Sequence, residues 1–112
     1  MKYALLVYDG PGSWHDLDTE HKHAAHGEYE AVSDSPDVIA HYRLRSPQRT
    51  TTIRVKDNHS VKTDGPLTDT SETFRAIYLV ETDDNDSVLE LAARIPAASM
   101  GGAVEVWPLM ER

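Results

Sequence analysis

The first strand-like segment constrains the fold more than any other part of the chain. Residues 3–8 form a nearly continuous apolar run, which Asp9-Gly10-Pro11 then ends. A short apolar run of this kind is typical of a strand that is covered on both faces. The sequence therefore predicts a central strand over Lys2 to Tyr8.

Two further segments are predicted to be helical. The first runs from a cap at Asp16 or Asp18 to about Val32. The second begins with Ser87-Val88-Leu89-Glu90, which fits a capping box, and Pro96 stops it. Its apolar residues recur at helical spacing, so one of its faces is predicted to pack against other elements.

Five more segments are predicted to be strands. In each of them apolar and polar residues alternate, β-branched residues are frequent, or the residues form a short apolar run. The five segments are Val38 to Leu44, Thr50 to Val55, Ser60 to Thr63, Ala76 to Glu81 and Val104 to Leu109. Alternation in the first of them places Val38, Ala40, Tyr42 and Leu44 on one side. The turn at residues 56–59 predicts that Thr50 to Val55 and Ser60 to Thr63 pair as a hairpin.

The order of these elements predicts the fold class. A strand, a helix, several strands, a helix and a strand indicate one α+β domain over residues 1–112. Both helices are expected on one face of an antiparallel sheet. The other face is then uncovered, and two copies that press their sheets together would form a homodimer.

Composition and charge exclude several classes of function. The chain has 11 Lys and Arg against 19 Asp and Glu, a net charge of −8, which repels phosphate backbones and argues against nucleic acid as a direct partner. Cysteine is absent, so no disulfide forms, which fits a cytoplasmic protein. No apolar segment approaches the roughly 20 residues that span a membrane. Gly10-Pro11-Gly12-Ser13 lacks the spacing of a phosphate-binding loop and is read as a connector, and no redox cofactor motif is present.

The tripeptide Asp64-Gly65-Pro66 is the first candidate for chemistry. It places a carboxylate at a predicted strand end, followed by a residue that tolerates unusual backbone angles and one that fixes its own φ. Asp64 is a candidate general base, or a group that orients a histidine. The alternative is a turn in which the carboxylate accepts backbone hydrogen bonds.

Two histidines of the first helix are the second candidate. His23 and His26 are three residues apart, so they can face the same way, and imidazole transfers protons near neutral pH. The alternative is a solvated helix surface. A metal site with His21, Glu20 or Glu30 has less support, because a second Glu-x-x-His pair is missing.

Four ring-bearing residues are candidates for the wall of a small-molecule cleft: Tyr8, His41, Tyr42 and Trp107. Such clefts combine apolar rings with a few polar groups. The alternative is core or interface packing, which is favoured for Trp107.

The chain resembles the YCII-related family, and within it the DGPF-type branch. Residues 1–8 look like its first strand and residues 51–55 like its central strand. Thr63-Asp64-Gly65-Pro66-Leu67 stands at its Asp-Gly-Pro-Phe signature, with Leu67 in place of the Phe, and Thr70 and Glu72 match the positions that follow. Residues 92–98 and 104–111 look like the family's ending.

The resemblance implies a ferredoxin-like fold that pairs into a dimeric α+β barrel, and small enzymes with a catalytic His–Asp pair. On this chain the pair would be Asp64 with His26 or His23. The substrate would be a small organic molecule that contacts Tyr8, His41, Tyr42, Gly65, Pro66 and Leu67. Some relatives accompany transcription sigma factors, which makes a non-catalytic ligand-binding or interaction module the alternative.

Overall fold

The computed structural model describes residues 1–12, 14, 16–68 and 71–111, so the predictions on Ser13 and Thr70 lie outside the described residues. The described residues form six strands: β1 (Lys2–Asp9), β2 (Val38–Arg43), β3 (Thr51–Lys56), β4 (His59–Asp64), β5 (Thr73–Glu81) and β6 (Ala103–Pro108). The helices are α1 (Thr19–Ser33), α2 (Asn85–Arg94) and α3 (Pro96–Ser99), and a 3₁₀ turn covers Pro47–Arg49.

The main sheet has four strands in the order β2-β5-β1-β6, and every neighbouring pair is antiparallel. This confirms the α+β class, the ferredoxin-like sheet and the central position of β1. The three helices pack on one face, over a core in which Leu5, Val32 and Ile95 have no exposed surface. Burial of each such side chain contributes about 1.5–3 kcal/mol, so this face holds the domain together.

The start of α2 differs from the prediction. Its N-cap is Asp84, whose carboxylate accepts hydrogen bonds from the N–H groups of Asp86 and Ser87 at 3.0 and 3.4 Å. The Ser87 hydroxyl also donates to that carboxylate, at 2.9 Å. The capping box that begins at Ser87 is therefore wrong, because an acidic acceptor three residues earlier caps the helix first. Pro96 ends α2 as predicted, but it also opens the short α3.

Strand β2 does not keep the alternation that its sequence shows. Its register against β5 shifts between Val38 and Ala40, so Val38 packs on the helix-side core, whereas Ala40 and Tyr42 pair with residues of the opposite face. The prediction that Val38, Ala40, Tyr42 and Leu44 share one side is wrong. The extra residue of a bulge reverses the face of everything beyond it.

The β3–β4 hairpin forms as predicted, but it is a separate sheet of two strands. Asp57 and Asn58 form its turn with φ angles of 52° and 65°, which suits a tight two-residue connection. The expectation from the resemblance that Thr51–Val55 is a central strand is wrong. These residues pair only with β4 in the described structure.

The face of the main sheet opposite the helices carries no element of the described chain. Tyr42 and Trp107 are 62 % and 53 % exposed there, beside the partly buried Leu6, Ile77 and Leu79. An aromatic, apolar sheet face of this kind is the surface that the homodimer prediction requires. None of the helices that the structure describes is long and apolar enough to cross a membrane.

Candidate functional site

A cleft of about 840 Å³ lies between α1 and the helix-side face of the sheet, at the end where β1 finishes. Its volume suits a small organic ligand. One wall comes from α1, with His26, Tyr29, Glu30 and Ser33. The other comes from the sheet, with Val7, Asp9, His41, Arg43, Arg75 and Tyr78, and residues 10–12 and Trp14 close the end.

The wall from α1 presents a histidine with a carboxylate partner. Asp18 caps the helix as predicted by accepting the N–H of His21 at 2.8 Å. Ala25 and Val32 turn into the core, which leaves His26 and Glu30 along the cleft. Nε2 of His26 lies 3.1 Å from Oε1 of Glu30, four residues on. The carboxylate can therefore hold one ring nitrogen while the other stays open to a ligand.

The wall from the sheet presents a second imidazole. His41 lies opposite Tyr78 in the β2–β5 pairing, and their rings stack with centroids 5.7 Å apart at 20°. Arg43 follows two residues later on the same side. No ion pair or hydrogen bond of the Arg43 guanidinium occurs within the described residues, so its charge is available to a ligand.

The floor of the cleft is polar at the end of β1. Nε of Arg75 lies 3.2 Å from Oδ2 of Asp9, across neighbouring strands. Burial, and after it the negative charge of Asp9, raises the pKa of Tyr29 to about 12, while a hydrogen bond from the Ala97 backbone acts in the opposite direction. Tyr29 is therefore a neutral hydroxyl beside a charged pair, able to donate a hydrogen bond.

Asp64 lies elsewhere, in a second cavity of about 450 Å³ with Pro47, Gln48, Gly65, Pro66, Thr68 and Glu72. The predicted turn is present, since Gly65 has a φ of 99° and donates its N–H to the Thr50 carbonyl at 2.7 Å. Asp64 is exposed at the end of β4. Thr73 lines both cavities, so the two lie side by side.

The structure separates several residues that the sequence groups together. His23 is exposed on α1 and does not line the cleft, and Leu67 is 69 % exposed outside both cavities. Of the four ring-bearing candidates, only His41 borders the cleft. Tyr42 and Trp107 lie on the open sheet face.

Tyr8 also lies on the open face, where its ring stacks on Phe74 with centroids 5.2 Å apart. Burial raises the pKa of the Tyr8 hydroxyl, and the carboxylate of Glu105, which accepts its hydrogen bond, raises it further. Tyr8 therefore lies on the open sheet face and does not line the cleft.

Sequence reasoning missed five groups of the cleft: Asp9, Tyr29, Arg43, Arg75 and Tyr78. The spacing of His26 and Glu30 is visible in the sequence, because residues four apart on a helix are neighbours. The Asp9–Arg75 pair has no such local signal, since it depends on the register of β1 against β5.

Metal ligation has no support from geometry in the part of the chain that the structure describes. No group of three or more His, Asp or Glu side chains is arranged to hold an ion there. His21, which the sequence offers as a possible metal ligand, instead contacts the carboxylate that caps α1. Its Nδ1 lies 2.6 Å from Oδ1 of Asp18. The His21 N–H and this contact lower the pKa of Asp18.

The family model of the YCII-related domain matches residues 1–111, which is nearly the whole chain. The protein belongs to the YCII-related family. A search of curated proteins finds no significant match. The comparisons therefore assign this YCII-related chain to a family but not to a specific function.

Proposed function

We propose that this YCII-related protein binds a small organic molecule in the cleft and performs acid–base chemistry on it through His26. The observation that carries the proposal is the His26–Glu30 contact at the mouth of a ligand-sized cavity. Histidine is the side chain best suited to proton transfer near neutral pH, and a positioned acid or base contributes about 10²–10⁴-fold in rate.

The roles follow from the contacts. Glu30 holds Nε2 of His26, which leaves Nδ1 to take a proton from the ligand or to return it. Arg43, unpaired within the described residues, provides positive charge for an oxygen that becomes negative in the transition state. Tyr29 donates a hydrogen bond as a neutral hydroxyl. Isomerisation, a lyase step and hydrolytic dehalogenation all use such a set.

A finer part of the proposal concerns Asp64. We assign the chain to the DGPF-type branch, on the strength of Asp64-Gly65-Pro66 at its strand-end turn. The His–Asp pair would then work across the two cavities. A ligand that extends past Thr73, which lines both, reaches His26 and Asp64 together. Gly65 and Pro66 would contact the same ligand.

The homodimer and a cytoplasmic location complete the proposal. The exposed rings of Tyr42 and Trp107 on the open sheet face support two copies that pair through that face as an α+β barrel. The absence of cysteine suits a reducing compartment.

A second function, a non-catalytic small-ligand or interaction module linked to sigma-factor regulation, is favoured by a different observation. Asp64 and His26 line separate cavities, and both side chains are exposed. An enzyme that depends on this pair needs both groups within reach of one ligand, whereas a binding module does not.

Deuterium exchange separates the two functions. A library of small carbonyl and carboxylic compounds is incubated with the protein in deuterated water and followed by NMR. We expect a ligand that shifts the amide signals of the cleft and gains deuterium at an acidic carbon. His26→Gln should reduce the exchange rate at least about 100-fold without loss of binding. His23→Gln is the matched control on the same helix.

Each other outcome has a defined meaning. Binding without exchange or turnover would support the non-catalytic binding module and contradict the proposed enzyme. Exchange that survives in His26→Gln but disappears in Asp64→Asn would move the chemistry to the second cavity. No shift of any cleft amide, with every compound, would overturn both functions.

A further inference from the structure

The β3–β4 hairpin pairs with no other strand in the described part of its own chain. Its strands pair only with each other in the described residues. All of β4 is exposed, and so are the apolar side chains of Ile53, Val55 and Val61, by 59 %, 69 % and 48 %. An isolated two-stranded hairpin is marginally stable in water. A hairpin that exposes valine and isoleucine therefore needs a surface to pack against.

The hairpin and its base hold most of the positive charge of the chain. Residues 43–62 contain six of the 11 Lys and Arg residues and one of the 19 Asp and Glu residues. The hairpin continues from the end of β2 and returns at the start of β5. One end of this acidic protein is therefore a basic arm.

The opposite end of the main sheet is acidic. Six carboxylates gather where β2 begins and where β5 and β6 finish: Asp37, Glu81, Asp83, Asp84, Asp86 and Glu111. Hydrogen bonds fix three of these residues at this edge, since Glu81 N–H donates to the Asp37 carbonyl at 2.9 Å and Lys2 N–H donates to Oε1 of Glu111 at 3.0 Å. Among the described residues, the cations at this edge are Lys2 and the amino group of Met1, which lies 3.3 Å from Asp83.

We propose that the hairpin docks on the acidic end of a second copy of this chain, with the strands of the two copies antiparallel. A two-fold axis perpendicular to the strands brings each basic arm to the partner's acidic end, so both contacts form at once. Charges of opposite sign along the strand direction favour this orientation, and like charges oppose the parallel one. The inference rests on the proposed homodimer and adds its orientation and its arms.

A second copy fits the arm better than a polyanion does. The hairpin and its base, residues 43–62, contain no Phe, Tyr or Trp ring on which bases would stack. The net charge of −8 repels a nucleic acid backbone at longer range. The complementary acidic surface is present on the chain itself.

A charge-swap experiment tests the arm. Variant one is Arg54→Glu/Lys56→Glu on β3, and variant two is Glu81→Lys/Asp83→Lys at the acidic end. Sedimentation velocity should show that each alone self-associates about tenfold or more weakly than the wild type, because each now opposes like charges. An equimolar mixture should recover association as heterodimers, in which both arm contacts are again attractive. Lys22→Glu/Arg94→Glu, with the same charge change elsewhere, should dimerise like the wild type.

The possible failures are distinguishable. A wild type that stays monomeric at every concentration overturns the homodimer and the arm together. A dimer that neither variant weakens, or variants whose mixture does not associate, overturns the arm and leaves the dimer in place. In a further outcome, the wild type binds a DNA duplex, and Arg54→Glu/Lys56→Glu abolishes that binding and leaves self-association unchanged. That result would show that the hairpin binds nucleic acid and not a second copy of the chain. Circular dichroism of each variant confirms that it is folded.

Discussion

Nε2 of His26 lies 3.1 Å from Oε1 of Glu30, one turn further along α1, and both side chains border the cleft. This contact should select the His26 tautomer that carries its proton on Nε2, because that nitrogen has an acceptor. Long-range proton–nitrogen NMR correlations report the tautomer. Glu30→Ala should remove the preference, whereas Glu28→Ala, exposed on the same helix, should leave it unchanged. Equal tautomer populations in the wild type would contradict the contact.

Gly102 should tolerate no side chain. A Cβ there would overlap the carbonyl oxygen of Tyr8 and approach that of Ala97 to 2.9 Å, both of them backbone atoms. Gly102→Ala should therefore cost about 1–3 kcal/mol or more in the free energy of unfolding, measured by urea denaturation. A loss below about 0.5 kcal/mol would show that the two segments are not in close contact.

Gly27 is the matched control, and it should behave in the opposite way. It lies inside α1, and no heavy atom outside its own helix backbone comes within 4 Å of the position that an alanine Cβ would occupy. Gly27→Ala should raise the free energy of unfolding by about 0.5–1 kcal/mol, because alanine loses less backbone entropy in a helix. Destabilisation by Gly27→Ala in the same urea experiment would mean that the space around residue 27 is occupied by another part of the protein.

Tyr29 should make stability fall at high pH. Its pKa is raised to about 12 by burial first and Asp9 second, whereas an unfolded tyrosine ionises near pH 10. Between these values the unfolded chain has lost a proton that the folded chain keeps. The contribution of Tyr29 is thus fully present below pH 10 and is lost as the pH rises towards about 12. The difference between the absorbance titrations of the wild type and of Tyr29→Phe should show a phenol group that ionises near pH 12. A midpoint near pH 10 would contradict the burial of this hydroxyl.

Asp84 should make stability fall at low pH. Hydrogen bonds from the Ser87 hydroxyl and N–H hold its pKa below the ordinary value. Its contribution is present above the unfolded pKa and is lost as the pH falls through the lower folded pKa. Asp84→Ala should lower the Tm at pH 7, and Asp84→Asn, which still caps, should keep most of the Tm while removing this acid dependence. Asp86→Asn, exposed in the first turn, is the control; an equal effect there would remove the special role of Asp84.

Trp107 should be needed for self-association through the open sheet face. It is 53 % exposed and lies opposite Ala4 in the β6–β1 pairing. Trp107→Lys should shift the protein to monomers in sedimentation experiments, because a charge then replaces an apolar ring at the interface. Leu89→Lys, at a comparably exposed position on α2, should have no such effect. A dimer that survives Trp107→Lys would locate the interface elsewhere.

Much of the secondary structure could be predicted because its signals are local. The apolar run of β1, the turn at Asp57-Asn58 and the cap at Asp18 each depend on neighbouring residues, and the structure confirms them. The capping box at Ser87 failed because Asp84 accepts the N–H groups of Asp86 and Ser87, so the helix begins before Ser87.

The candidate site could be predicted only in part. His26 and His41 line the cleft, whereas Tyr8 and Tyr42 lie on the other face of the sheet and Asp64 lies in the adjacent cavity. The β2 bulge contributes to this difference, because a one-residue shift transfers side chains from one face to the other, and a single sequence carries no clear signal for it.

By itself, the sequence determined the order of the elements, the α+β class and the family resemblance, because periodicity and turn residues act over a few positions. The tertiary structure decided which side chains share the cleft. Asp9 meets Arg75, and His41 meets Tyr78, through strand pairings between distant segments. Those pairings follow from how the whole apolar face is buried at once, and no local pattern specifies them.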